Sequence, residues 1–449
     1  MKKGYILVSL IVLLLVLALA MAACGGTTTT TAAGTSSTAV STETTAASTD
    51  TTVASTDTTA ASTDTTAAST DTTAAAGPAT GEPIKIGFLN DITGPAAMVA
   101  GFVSNGVAAQ VEYVNAHGGI NGRPLQVITF DSKSDTTTAV AGVKKLVNDD
   151  KVSMIIGPFT PYEQEPCRLL ADQLKTPLLD FGPSTLDQIT AKTQHQWGFG
   201  LTTGPISQGK TLLQVIKDNG WKKLIGIQDV LGIDQDALKY LKQNEAANGY
   251  SLTILPDIIQ LTTTDYQPFL NKIMAAYKAE KPDAIVLMIT SLGSPPVYKG
   301  MRALGVTVPV LTSPSADSPQ VFALGPEAVE GLMLIDNAGI ADPSALPDSW
   351  PLKAGQLEFA QRYQAKFNKP ADFFASEGAD AITAVAAAMK QAGGDDKAKV
   401  QQAMLNLKGV VGYTGIIGFS PSLTAEGIQG PFTEWQIKGG KYVLLKTFE

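Results

Sequence analysis

The sequence predicts an α/β protein built from two parallel-sheet units in tandem, carried behind an exported, low-complexity N-terminus. Three observations predict it. Short apolar runs rich in β-branched residues alternate with longer helical patterns, the alternation restarts near residue 222, and the first eighty residues carry no core-forming pattern. With 449 residues and 44% apolar content, the chain can bury a large core. Its length also exceeds the roughly 250–300 residues at which one core usually divides.

The N-terminus comes first. Lys2 and Lys3 precede an apolar run from Tyr5 to Ala23, the layout of an export signal. The run ends at "MAAC", where Ala22 and Ala23 precede Cys24, a pattern that resembles the lipobox of bacterial lipoproteins, with Met21 where Leu is commoner. Residues 1–23 are therefore expected to be removed and Cys24 to carry a lipid that anchors the chain to the bacterial cell membrane. An uncut transmembrane anchor is the alternative, since about 20 apolar residues span a bilayer. Residues 24–81 read as a tether. Their heptad, "STDTTAA" and its variants with Ser at 41, 48, 55, 62 and 69, has no large apolar position for a coiled-coil seam. Such Thr, Ala and Ser cannot bury enough surface to offset ordering entropy, and their hydroxyl density suits O-glycosylation.

From Ile84 the elements run in order. "IKIGFLN" precedes a helix over 102–116, "PLQVITFD" one over 136–148, and "VSMIIGP" one over 161–174, with "PLLDF" next. Continuous apolar strands interleaved with helices indicate a parallel sheet covered on both faces. The pattern restarts with "KKLIGIQDV", then helix 234–248, "SLTILPDII", helix 265–279, "AIVLMIT", helix 294–304 and "PVLTS". "GLMLIDN", helices near 352–368 and 373–392, and a hairpin turning at Gly439-Gly440 complete it. In open α/β sheets ligands bind off the carboxyl ends of the strands. Two facing units would therefore enclose one cleft.

Composition excludes some functions. From Glu82 onward the charge is only slightly acidic and no basic cluster occurs, which argues against nucleic-acid partners. The two cysteines leave a single one, Cys167, after lipidation, so no intramolecular disulfide is expected. Within "CRLLADQL" Cys167 reads as a buried small hydrophobe. His117 and His195 stand far apart without metal-ligand spacing, and no G-x-S-x-G elbow exists, so neither a metal nor a cofactor is expected. His117 is placed to flank a helix C-terminus. "GPISQGKT", 204–211, matches the phosphate-binding G-x-x-x-x-G-K-[ST]. Pro205 removes an N–H from the would-be cradle, and the nearest Mg²⁺ candidate, Asp229, is unconvincing. "TPYE", 160–163, has the composition of a capping box with Pro at the first helical position.

"NDITGPAAMVAGFVSNGVAAQVEYVNAHGGINGRPLQVITFD", "VNDDKVSMIIGP", "PSTLDQIT" and "TTGPISQGK" together resemble the type I periplasmic binding proteins of the branched-chain amino acid (Leu/Ile/Val) uptake family, from about Ile84 onward. The resemblance implies two Rossmann-like lobes joined by a three-crossover hinge: lobe I over 82–203 and 336–431, lobe II over 204–335 and 432–449. It implies a monomeric solute-binding protein that delivers a small molecule to an ABC permease and performs no catalysis. A ligand-sensing receptor module, or a secreted enzyme using Asp180, Asp234 or Asp317, are the alternatives.

Carried over by position, the ligand loops are Phe159, Thr160, Pro161 and Tyr162, then Phe181, Gly182, Pro183, Ser184 and Thr185. Lobe II adds Ile233, Thr290, Ser291 and, as the nearest carboxylate to the usual acid position at Pro314 or Ser315, Asp317. Several positions depart from the family. Pro161 replaces a Ser, Pro183 lacks the backbone N–H, and Thr290 stands where Leu/Ile/Val binders have Tyr. Branched-chain amino acids stay open as ligands, but an α-ammonium would be poorly compensated. The changes favour a small carboxylate held at helix N-termini, or an amide or aromatic compound stacked on Phe159, Tyr162 or Phe181. Glu163 weighs against the carboxylate.

Overall fold

The computed structural model describes residues 77–448 apart from 184, 193, 231, 261, 290–292, 318 and 338. The export segment, Cys24 and all but the last few residues of the tether lie outside the described residues.

Lobe I is organised by a five-stranded, all-parallel sheet of β1 (Ile84–Asn90), β2 (Leu125–Asp131), β3 (Met154–Ile156), β4 (Leu178–Asp180) and β5 (Gly198–Gly200), in spatial order β2-β1-β3-β4-β5. The strands β3, β4 and β5 are buried along their whole length. Helices α1 (Ala97–Ala116), α2 (Thr136–Asn148), α3 (Pro161–Leu174) and α4 (Leu186–Ala191) connect them. The expected start of α1, residue 102, falls five residues late, because Gly94-Pro95 and Gly101 read as breakers. Val99 and Ala100 are buried, and that packing extends the helix.

Lobe II holds a mixed seven-stranded sheet, β15-β14-β10-β9-β8-β6-β7. β6 (Lys223–Asp229), β7 (Ser251–Ile259), β8 (Ala284–Met288), β9 (Val310–Thr312) and β10 (Met333–Asn337) are parallel; β14 (Phe432–Lys438) and β15 (Lys441–Phe448) form the antiparallel hairpin. Its turn glycines have φ of 57° and 73°, which suits the tight hairpin connection. Helices α5 (Pro205–Asp218), α6 (Gly232–Asn248), α7 (Gln267–Glu280) and α8 (Ser294–Ala303) flank this sheet. Before the hairpin the chain revisits lobe I with α9 (Lys353–Phe367), α10 (Phe373–Ala392) and α11 (Lys397–Leu405), and a small sheet of β11 (Val410–Val411), β12 (Ile416–Ile417) and β13 (Ile428–Gln429). No helix among the described residues is long and apolar enough to cross a membrane.

One packing feature positions the site. α10 lies against α1 with almost no side-chain spacing: a Cβ on Gly106 would sit 1.9 Å from Ala375 O, and one on Gly378 2.2 Å from Val103 O. The N-terminal turn of α10 meets lobe II, where Phe373 N donates to Asp317 O at 3.3 Å.

Thr160 does cap α3, but the expected capping box is absent. Its hydroxyl donates to the Glu163 carboxyl rather than accepting from the helix backbone. Glu163 is fully buried and cannot swing outward to receive the Thr160 N–H. A true capping box forms at Thr185 and Gln188, where the partly exposed N-terminus of α4 leaves both side chains free to reach back. Cys167 is a free, fully buried thiol, and burial pushes its pKa up. His117 is the C-cap of α1, its backbone and ring both bonded to Tyr113 O. In the P-loop look-alike, α5 starts directly at Pro205 and the Glu426 carboxyl packs against Gly204.

Candidate functional site

The carboxyl ends of both sheets face one cavity of about 220 Å³. Its lobe I wall is aromatic. Phe159 follows β3, Phe181 follows β4, and Phe373 and Phe374 open α10. Ring centroids of Phe159 lie 5.7 Å from Phe374, edge to face, and 6.3 Å from Phe181. The chain can turn from β3 into this wall only because Gly157 has φ of 83°, and a Cβ there would meet Leu89 O at 1.9 Å. Gln164 Nε2 donates to Phe159 O at 2.8 Å and holds that loop down.

Beneath the second loop is a buried ion pair. Arg168 donates from Nε to Asp180 Oδ2 at 2.7 Å and from Nη2 to Asp180 Oδ1 at 2.5 Å. It also donates to the carbonyls of Gly182 and Pro183. Burial pulls the Asp180 carboxyl upward against Arg168, but the two-pronged geometry is that of an ionised pair. Arg168 is the one cationic residue among the described residues lining the cavity, and its charge is already matched.

The buried polar atoms of the lining that lack partners among the described residues are acceptors. Asp234, in the first turn of α6, is 1% exposed, and its Oδ2 has no hydrogen-bond partner among the described residues. Burial, then the neighbouring Asp229, pushes its pKa well above the carboxylate range. Glu377, on α10, is equally buried and likewise pushed up, first by burial and then by Asp380 and Asp372. Gln208 Oε1 and Asn337 Oδ1 also lack partners among the described residues. At the mouth the lobes touch: Leu186 N donates to Asp236 Oδ2 at 2.9 Å, and Lys239 pairs with Asp187 at 2.7 Å. Behind α4, His195 sits between Asp172 and Glu165, which raise its pKa to about 9.

The expected ligand residues divide. Phe159, Pro161, Phe181, Gly182, Pro183 and Thr185 line the cavity. Thr160 is buried beneath it, donating to Glu163 and Asp91. Tyr162 is not at the cleft: it is 43% exposed and its hydroxyl donates to Ser134 O. Asp317 is not in the lining either. It is buried beside Asp336 and Asp372, with its carbonyl receiving Phe373 N. Ser184, Thr290 and Ser291, together with the Ile233 side chain, lie outside the described residues. Sequence reasoning missed Arg168, Gln208, Asn337, Glu377 and the Phe373-Phe374 pair. Only the last carried a signal, two aromatics opening a helix after Asp372.

The model of a family described as periplasmic binding protein matches residues 83–440. The chain belongs to this family, in the type I branch that includes the Leu/Ile/Val-binding proteins. It is 20% identical over 364 residues to the leucine-, isoleucine-, valine-, threonine- and alanine-binding protein of Pseudomonas aeruginosa, covering 79% of this chain and 90% of that one. Among solved structures, the leucine-binding protein LivK of Thermotoga maritima superposes with a TM-score of 0.68 at 19% identity, over 82% of this chain and 99% of that one. A solute-binding protein of an R. palustris ABC transporter, solved with benzoate, gives 0.67 at 20% identity over 81% and 96%. Periplasmic binding proteins of this type are extracytoplasmic and serve ABC transporters as solute-binding components, and this chain has their fold.

Proposed function

We propose that this protein is a lipid-anchored solute-binding protein whose lobes close on a small ligand with an apolar, ring-sized body and deliver it to an ABC permease. The observation that carries this reading is the cavity itself, which takes one wall from each lobe and lines it with four phenylalanines. Hinge closure around a ligand follows naturally from such a two-lobed frame. We place the three hinge crossings near Gly204, Asp336 and Phe432. Cys24 anchors the chain, and residues 24–81 hold the lobes away from the membrane.

Binding without catalysis fits the family, whose members are substrate-binding proteins. A standard α-amino acid fits this cleft poorly. Pro161 and Pro183 offer no N–H, Thr160 spends its hydroxyl on Glu163, and the N-terminal N–H groups of Thr185 and Leu186 already donate to Gln188 and Asp236. An α-carboxylate would therefore find few donors.

Native mass spectrometry of the gently purified protein should detect a copurifying small molecule. Calorimetric titration should detect no tight binding of leucine, isoleucine or valine, and a tight complex with any of them would sink the non-amino-acid reading. Cys24→Ala should release the protein from the membrane fraction.

A further inference from the structure

We infer that the ligand is a small organic cation without a carboxylate, its charged nitrogen held between Asp234 of lobe II and Glu377 of lobe I while its apolar body lies against the phenylalanine wall. The inference rests on the binding reading above and names the chemical class that the same cleft selects.

Size limits the ligand first. A dry cavity of about 150 Å³ accommodates benzene, so about 220 Å³ accommodates a ring and a few further heavy atoms. Polarity limits it next. Within the lining, the buried polar atoms left without partners among the described residues are acceptors: Asp234 Oδ2, Gln208 Oε1 and Asn337 Oδ1. The Glu377 carboxyl joins them in the lining. Buried acceptors of this kind are costly unless a donor reaches them, and an ammonium or amidinium group brings two to four N–H donors and a compensating charge. The wall adds to this, because aromatic faces attract cations.

An anion meets the opposite situation. The one cation of the lining among the described residues, Arg168, is consumed by Asp180 and two carbonyls. The helix N-terminus of α4 is occupied by Asp236 from the other lobe. A carboxylate would thus be desolvated with no free cation beside it among the described residues of the lining, which costs several kcal/mol.

The charge state of the cleft follows. Asp234 faces Asp229 and Ser313, and Glu377 faces Asp372 and Asp380, the latter held by Thr414 and the Tyr413 N–H. None of these supplies a cation, so burial disfavours the ionised form of both carboxyls when the cleft holds no ligand. A bound cation favours their ionised forms, and protons leave as it binds.

The test uses matched probes of one size: benzylamine, benzyl alcohol and benzoate, then cyclohexylamine and benzamidine, titrated calorimetrically into the full-length protein at pH 7.5 in two buffers of different ionisation enthalpy. An amine or amidine is expected to bind at least about tenfold more tightly than its neutral or anionic counterpart, with net proton release that the alcohol does not produce. Asp234→Asn and Glu377→Gln should each remove most of that preference for the amine over the alcohol. Thermal melting would report whether either variant folds, and the comparison of probes on the unaltered protein does not depend on them. Benzoate or benzyl alcohol binding as tightly as benzylamine, or no cation of the panel binding, overturns the inference. In the first case the binding reading survives and only the ligand class falls. If no copurifying molecule and no probe of any class binds, the binding reading itself fails.

Discussion

The Arg168–Asp180 pair lends itself to a stringent test because its geometry sets both a stability cost and a change at the site. Arg168→Met removes a guanidinium that is 2% exposed and makes two bonds to a carboxylate with no exposure at all. What remains is Asp180 with the Gly182 N–H at 2.9 Å as its backbone donor. Breaking a buried pair from one side costs roughly 3–5 kcal/mol, because the surviving charge is uncompensated. For a lobe of this size that corresponds to a loss of roughly 6–20 °C in melting temperature. Arg168→Met/Asp180→Asn removes the stranded charge and keeps the acceptor for Gly182, so it should recover a large part of the loss. Urea denaturation followed by tryptophan fluorescence measures this, with Trp197 packed on the same side of lobe I. Arg168 also ties down the Gly182 and Pro183 carbonyls, so both variants should weaken ligand binding even where stability returns. A double variant no more stable than Arg168→Met would show that the pair does not stabilise by mutual charge compensation.

Two further outcomes follow from packing and ionisation. Gly378→Ala should destabilise by about 1–3 kcal/mol or more, since its Cβ meets Val103 O at 2.2 Å and only separation of α1 from α10 relieves the clash. By contrast Gly101→Ala, with nothing within 4 Å, should stabilise by up to about 1 kcal/mol; calorimetric melting compares the two. Glu163 is raised from 4.5 to about 7, mainly by burial and with Asp91 adding to it, against the hydroxyls of Thr160 and Ser132. The folded protein therefore holds a proton that the unfolded chain has released, and stability should fall as pH rises from about 4.5 through 7, by on the order of 3 kcal/mol. Glu163→Gln should flatten that slope and be the more stable protein at pH 8, read from urea midpoints across the range.

The binding wall was partly legible because some of its residues follow strands whose pattern is plain. Phe159 comes directly after "MIIGP" and Phe181 directly after "PLLD", so the rule that ligands sit at strand carboxyl ends finds them. Tyr162 was drawn in by the same reasoning. It is the second residue of α3, and its side chain turns away from the cleft to Ser134 and solvent. Asp317 is the acid nearest to the position the resemblance implies, but it lies two or three residues further along the chain, buried beside Asp336 and Asp372.

Strand and helix identity, the tandem α/β plan and the closing hairpin were determined by the sequence alone, because periodicity, glycine turns and apolar runs act over a few neighbouring residues. The partners of the site were decided only by tertiary structure. Glu377 reaches the cleft because Gly106 and Gly378 let α10 press against α1. Asp234 loses its solvent in the folded cleft, where Asp229 and Ser313 face it. Whether a carboxyl is a solvated surface group or a buried acceptor depends on what packs against it from hundreds of residues away, and local sequence does not encode that distance.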